Sequence, residues 1–128
     1  KIEDGKVLSM GALAQYVLDK RIPLEVCLTS NVHTGAVKNM EEHPFGIYFR
    51  YKFRVTLNTD DRLMSNITLT DEFQTAAESF GLTLEDFEKI TINSMKSAFI
   101  PYKQRIRIIY DLLKPGYAKA KAALKAQY

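Results

Sequence analysis

The sequence predicts an α/β fold in which two parallel strands are followed by three helices, and three observations carry that reading. Residues 54–59 alternate, with Val55, Leu57 and Thr59 on one side and Thr56, Asn58 and Asp60 continuing the other, as the two-residue period of a strand requires. Residues 23–31 repeat the pattern, with Leu24, Val26 and Leu28 facing one way and Glu25, Cys27 and Thr29 the other. The segment between the two runs is too long for a hairpin and contains a helix-like stretch, so the strands are expected to be parallel neighbours joined by a crossover helix.

The elements follow in order. The chain opens at Lys1 with no methionine, no signal-peptide pattern and no strand expected before its first helix, as a piece cut from a longer protein would. Residues 11–20 form the first helix, 24–29 the first strand, 41–51 the crossover helix and 54–59 the second strand. Everything after that is helical. Thr70, Phe73, Ala76, Ala77 and Phe80 make an amphipathic stripe that stops at Gly81. Thr83 and Asp86 then open the next helix with a capping box in which aspartate replaces the usual glutamate. Phe87, Ile90, Ile92, Met95 and Phe99 give that helix an apolar face, ended by Pro101. A last helix over residues 103–113 is expected to stop at Pro115-Gly116, with residues 117–128 as a helical tail.

Composition narrows the class. The 128 residues are 46% hydrophobic and 26% charged, with no apolar run near the roughly 18 residues that span a bilayer, so no membrane role is expected. The net charge of +3 comes from 18 basic and 15 acidic residues. Lys114, Lys119, Lys121 and Lys125 gather near the end without interleaved aromatics, which describes a solvated helix rather than a nucleic-acid contact. A single cysteine cannot form an internal disulfide, and a cytoplasmic location is expected.

Two adjacent carboxylates, Asp60 and Asp61, close the second strand. In parallel α/β sheets ligands bind at the carboxyl ends of strands, where Thr29, Ser30, Asn31, Asp60 and Asp61 are expected to gather. By strand parity Asp60 lies on the polar, inward face. Two strands alone leave both edges open, and a barrel is the architecture that supplies the missing neighbours.

The strings Pro-Leu-Glu-Val-Cys-Leu-Thr-Ser-Asn-Val-His-Thr-Gly-Ala-Val from residue 23, Glu-His-Pro at 42–44 and Val-Thr-Leu-Asn-Thr-Asp-Asp at 55–61 are joined by three more in the same order. These are Leu-Met-Ser at 63–65, Thr-Leu-Thr-Asp-Glu-Phe at 68–73 and Asn-Ser-Met-Lys-Ser-Ala-Phe at 93–99. Together they resemble the bacterial adenosine deaminases over residues 22–117. The resemblance implies a C-terminal fragment of a (β/α)8 TIM barrel of the amidohydrolase type, holding the seventh and eighth strands with their helices. It implies hydrolytic deamination of adenosine or 2′-deoxyadenosine to the inosine product, with one zinc ion activating the water that attacks C6. On the matching positions, Asp60 is implied as a metal ligand and catalytic partner of that water, and Asp61 as a substrate-binding acceptor for the purine N7.

The family pattern also needs His-x-His on the first strand, a His on the fifth followed by an acid/base Glu, and a His on the sixth; none of these is present. The two histidines here, His33 and His43, lie on no strand: His33 is expected in a solvated loop and His43 in a structural hydrogen bond at a helix start. Leu28 and Arg62 replace prolines usual in the family. One ligand does not hold zinc with useful affinity, so the chain alone is expected to be inactive. Its expected partners are the missing N-terminal part of the barrel or a second copy joined through open strand edges. A related 6-aminopurine deaminase and a non-catalytic interaction module are the alternative readings.

Among the other polar residues, Cys27 is expected as a buried filler, Glu25 as a support to the metal site or half of a salt bridge, and Asn58 and Thr29 as interior packing. Asp71 and Glu72 are expected to favour the dipole of the helix they open.

Overall fold

A computed structural model of the chain describes residues 1–3 and 6–126. Its centre is a parallel pair, β3 (Pro23–Val26) and β4 (Arg54–Leu57), in the register Pro23 with Arg54 through Val26 with Leu57. The amide of Asn58 extends the ladder to the Val26 carbonyl at 2.9 Å. The expected parallel crossover is therefore present, with each strand shorter at its carboxyl end than the alternation suggests.

Each strand is entered from a helix through the same turn. Helix α1 (Ala12–Asp19) delivers the chain to β3 and α3 (Phe45–Arg50) delivers it to β4. After α1, the Ile22 amide reaches the Val17 carbonyl and Arg21 reaches Leu18; after α3, Phe53 reaches Tyr48 and Lys52 reaches Phe49. These are paired Schellman closures. Arg21 (φ 53°) and Lys52 (φ 63°) occupy the left-handed position that glycine usually fills, at a cost of about 1 kcal/mol each. The Arg21 guanidinium offsets part of that cost by donating to the Lys52 carbonyl at 2.9 Å, tying the two turns together.

The core forms where the sheet meets the helices. Val26, Leu28, Phe45, Val55, Leu57, Ala76 and Ile90 are buried in one cluster, and each large side chain among them contributes roughly 1.5–3 kcal/mol. β4 is covered on both faces: Thr56 is 2% exposed, between Val55 at 0% and Leu57 at 3%. Its hydroxyl accepts a hydrogen bond from Asn58 Nδ2 at 2.8 Å. The polar alternation read in the sequence is thus not an exposed face, as expected for a parallel strand flanked on both sides.

Helix α5 (Leu69–Phe80) ends at Gly81 in the left-handed conformation (φ 65°), as expected. It packs so closely on α3 that a Cβ at Gly46 would lie 3.0 Å from the Phe80 ring. Helix α6 (Leu84–Ser97) starts with the Thr83–Asp86 capping box, and α5 starts with a second one, Thr68–Asp71.

Several expectations fail for physical reasons. Two short antiparallel strands, β1 (Ile2–Glu3) and β2 (Lys6–Val7), precede α1 where none was expected; two-residue strands carry no legible alternation. The first strand does not reach residue 29, because α2 (Leu28–His33) begins directly after Cys27. The crossover helix begins at Phe45 rather than residue 41. Phe99 is fully exposed and is no part of the α6 face, since that helix ends at Ser97.

The last helix does not stop at Pro115-Gly116. Helix α7 (Tyr102–Ile108) runs through a π turn (Ile109–Leu113) into α8 (Lys114–Lys125). A proline lacks the N–H of the helical ladder and crowds the carbonyl four residues back; widening the preceding turn to π geometry relieves both problems. The expected tail is thus a continuation of this helix, and its final residues 127–128 lie outside the described residues. α8 docks on α6 through Tyr117 Oη to Thr91 Oγ1 at 2.7 Å and Lys121 Nζ to Glu88 Oε2 at 2.6 Å. Among the described residues no helix is long and apolar enough to cross a membrane.

Candidate functional site

The carboxyl end of the β3–β4 pair brings together two of the residues singled out in the sequence, Ser30 and Asp60. Beyond Leu57 the chain leaves the sheet, and Asp60 adopts a left-handed conformation (φ 55°). Strand parity therefore does not reach Asp60, and its direction is set by contact instead: Ser30 Oγ donates to Asp60 Oδ2 at 2.7 Å. Ser30 is 7% exposed on the first turn of α2, so it reaches Asp60 from a helix rather than from a strand end, while the Thr29 amide is turned to Glu72 and Asn31 Oδ1 to His43.

Asp61 follows immediately but points elsewhere. It is the N-cap of α4 (Arg62–Ser65), where Oδ1 accepts the Met64 amide at 3.2 Å. Asp60 and Asp61 are both exposed, one tied across to α2 and the other along the chain. Arg62, in place of the family proline, is the first residue of α4 and is exposed. Leu28, the other replacement, is wholly buried.

Glu72, read as a residue favouring a helix dipole, has a different role. It is 0% exposed, and its carboxylate accepts the Leu28 amide at 2.8 Å and the Thr29 amide at 3.2 Å. It caps the N-terminus of α2 from a neighbouring helix, because Cys27 at the N-cap position provides no side-chain bond. The sequence signal was only an acidic residue in a first helical turn, with nothing to mark its long-range partner.

Cys27 is half-buried, and burial first, then Asp60, Glu72 and Glu25, push its thiol up to about 11. It is a protonated, poorly nucleophilic group at neutral pH. Glu25 is exposed and forms no ion pair among the described residues, so the salt bridge expected as one of its two roles is not formed here. His43 is buried at 6% exposure; its Nδ1 accepts the Phe45 amide at 3.1 Å, so Nε2 carries the proton toward Asn31 Oδ1, also at 3.1 Å. Burial lowers its pKa. This is the structural hydrogen bond expected of it. His33 is exposed at the end of α2, on a helix instead of a loop.

A cleft of about 630 Å³ opens beside Asp60, lined also by Asn58, Thr59, Arg62, Phe73 and Ser94. At the opposite end of the sheet a second cleft, of about 610 Å³, is lined by Arg54, Lys96, Arg105 and Lys114 with Tyr102 and Tyr110, and by no carboxylate. Among the described residues no three His, Cys, Asp or Glu side chains gather to hold a metal ion.

The sequence model of a family described as adenosine deaminase matches residues 2–115. Adenosine deaminase 1 of Streptomyces coelicolor is 52% identical over 120 residues, which is 94% of this chain and 30% of that protein. The adenosine deaminase of Mycobacteroides abscessus is 51% identical over 109 residues, covering 85% and 30% respectively. The chain thus spans about 30% of the length of these curated relatives. Among solved structures, an adenine deaminase from Arthrobacter aurescens superposes with a TM-score of 0.73 at 23% identity, covering 79% of this chain and 31% of that one. The N6-methyl-AMP deaminase of Arabidopsis thaliana superposes at 0.72 and 23%, covering 89% and 33%. The fold is accordingly that of part of a TIM-barrel enzyme, with two parallel strands and their helices.

Proposed function

The chain belongs to the adenosine deaminase family, and from that premise we propose that the complete protein hydrolytically deaminates adenosine and 2′-deoxyadenosine to their inosine products. In this reading residues 1–128 are the C-terminal part of one barrel, with β3 and β4 as its seventh and eighth strands. The observation that carries it is Asp60 at the carboxyl end of β4, its Oδ2 held by Ser30 and a cleft open beside it. That is the end of a barrel where substrates are processed.

The zinc ion that the family implies finds one donor in this chain. Among the described residues no three candidate ligands gather around that donor, and His43 is engaged by Asn31 and Phe45. This chain therefore does not fit a zinc ion by itself, and we assign the remaining ligands to the part of the complete protein outside it. Asp61 is assigned to the purine: one oxygen caps α4, and the other has no partner among the described residues. An anionic acceptor at N7 holds that nitrogen protonated while negative charge builds on the ring.

The expected partners are the purine nucleoside and the rest of the barrel, which pairs with the open edges of β3 and β4, in preference to a second copy, a membrane or nucleic acid. A cytoplasmic address is assigned. The test is ammonia release from adenosine and 2′-deoxyadenosine by the complete protein, with and without a zinc chelator. Turnover lost with zinc and absent from the isolated 128-residue chain is expected. Undiminished turnover by the Asp60→Asn protein would overturn the assignment.

A further inference from the structure

We infer that Glu72 and Ser30 are positioning residues for Asp60: a buried carboxylate on α5 fixes the first turn of α2, and that turn aims a hydroxyl at the end of β4. The inference rests on the reading of Asp60 as part of the reaction centre. A carboxylate taken wholly out of water is expensive unless its lone pairs are satisfied. Glu72 is 0% exposed and pairs with no cation among the described residues. It is satisfied instead by the amides of Leu28 and Thr29, 44 and 43 residues away in sequence.

A helix start is ordinarily capped by the residue before it. Here Cys27 makes no such bond, so the orientation of α2 depends on α5. The residue after those two amides is Ser30, whose hydroxyl meets Asp60 Oδ2 at 2.7 Å. Asp60 in turn sits in a left-handed conformation at a chain end of the sheet, where the ladder no longer directs it. Leu28 is fully buried between these contacts, which leaves little room for the turn to shift. The contacts form one path from Glu72 through two amides and a hydroxyl to the carboxylate proposed to act on the substrate.

The inference is tested in the complete protein with Glu72→Gln, Ser30→Ala, Ser30→Thr and the Glu72→Gln/Ser30→Ala double variant. Glutamine cannot accept from both amides, so kcat is expected to fall about 10- to 100-fold with KM within about twofold, as for other supports of a reactive group. Ser30→Ala should lose a similar factor and Ser30→Thr should recover most of it. The double variant should be no slower than the slower single one, because both changes cut the same path. A folded Glu72→Gln protein with kcat within about twofold of wild type, or losses that multiply in the double variant, would overturn the inference. If Glu72→Gln does not fold, equal kcat in Ser30→Ala and Ser30→Thr overturns it. If the wild-type protein does not deaminate adenosine, the deaminase reading fails separately. Crystal structures of wild type and Glu72→Gln then decide: separation of Ser30 Oγ from Asp60 Oδ2 beyond about 3.5 Å supports the positioning, and an unchanged contact overturns it.

Discussion

The two ends of the parallel pair carry opposite chemistry and handle it differently. At the carboxyl end, Glu72 is satisfied by two backbone amides and Asp60 by a hydroxyl, so the negative charges are oriented by neutral donors without being cancelled. At the amino end, Arg54, Lys96, Arg105 and Lys114 share a cleft, and the buried Nε atoms of Arg54 and Arg105 have no acceptor among the described residues. Burial, with Arg21 and Arg105 adding, lowers the Arg54 pKa. The buried carboxylate of the acidic end has both oxygens bonded, whereas the basic end leaves two buried Nε atoms without an acceptor among the described residues. Orientation by neutral donors suits a carboxylate that must still attract something, whereas an incompletely bonded cation cluster is a source of strain.

The sharpest way to break this contrast is to remove one acidic charge while keeping its geometry. Asparagine tolerates the left-handed conformation and still accepts from Ser30. Asp60→Asn in the complete protein should therefore reduce turnover about a thousandfold, near 4 kcal/mol of barrier, while changing stability by no more than about 0.5 kcal/mol. Urea unfolding alongside the ammonia assay separates the two. An equal loss of both would make Asp60 a structural residue and erase the distinction between the ends.

Glu72→Ala probes the finished bonding directly. It leaves one buried amide, Leu28, and one partly buried amide, Thr29, without acceptors, at about 1–3 kcal/mol for a buried one and less for the other, so the urea midpoint should report a destabilisation of about 3 kcal/mol. A change below about 1 kcal/mol would mean that solvent reaches these amides and that the cap is dispensable.

His43 comes next in size. His43→Ala frees the Phe45 amide and should cost about 1–2 kcal/mol with turnover within twofold, read by the same pair of measurements. The pH dependence has a definite sign. The folded pKa lies below the ordinary value of about 6.5, so the unfolded chain binds the proton more readily. The stability it contributes is complete above about pH 6.5 and is lost as pH falls through the folded pKa. The acid-side slope of stability should flatten in His43→Ala. An unchanged slope would show that another group carries it.

How far these features can be read in the sequence follows from how local they are. The alternation within each strand, the Thr83–Asp86 box and the Gly81 stop depend on residues a few positions apart, and all were legible; the parallel pairing of the strands followed from the length of the segment between them. The structural role of His43 was legible from Glu-His-Pro at a helix start. Asp60 was found as a candidate, but its direction was not: parity holds only while the chain stays extended, and Asp60 lies past the point where it turns left-handed. Glu72 was misjudged because its partners lie more than forty residues away. The helix through Pro115 was hidden by the rule that proline ends helices, which a π turn circumvents. Repulsion at the amino end was equally invisible, since Arg21, Arg54 and Arg105 meet only in the fold.

That amino end gives the smallest and most revealing effect. Arg54 is partly buried; among the described residues its Nε has no partner, and the one hydrogen bond of its side chain is a 3.5 Å contact from Nη1 to the Arg21 carbonyl. Methionine keeps the aliphatic packing while removing the charge, and exchanging a poorly satisfied buried polar group for an apolar one is often neutral or stabilising. Arg54→Met in the complete protein should therefore change stability by between zero and about 1 kcal/mol in the favourable direction. The gain should shrink as added salt screens Arg21 and Arg105 in the wild type. Urea midpoints at low and high salt measure both effects. A loss greater than about 1 kcal/mol at either salt would mean that a carboxylate elsewhere in the complete protein pairs with Arg54. The amino end would then be as fully bonded as the carboxyl end, and the two would differ only in sign.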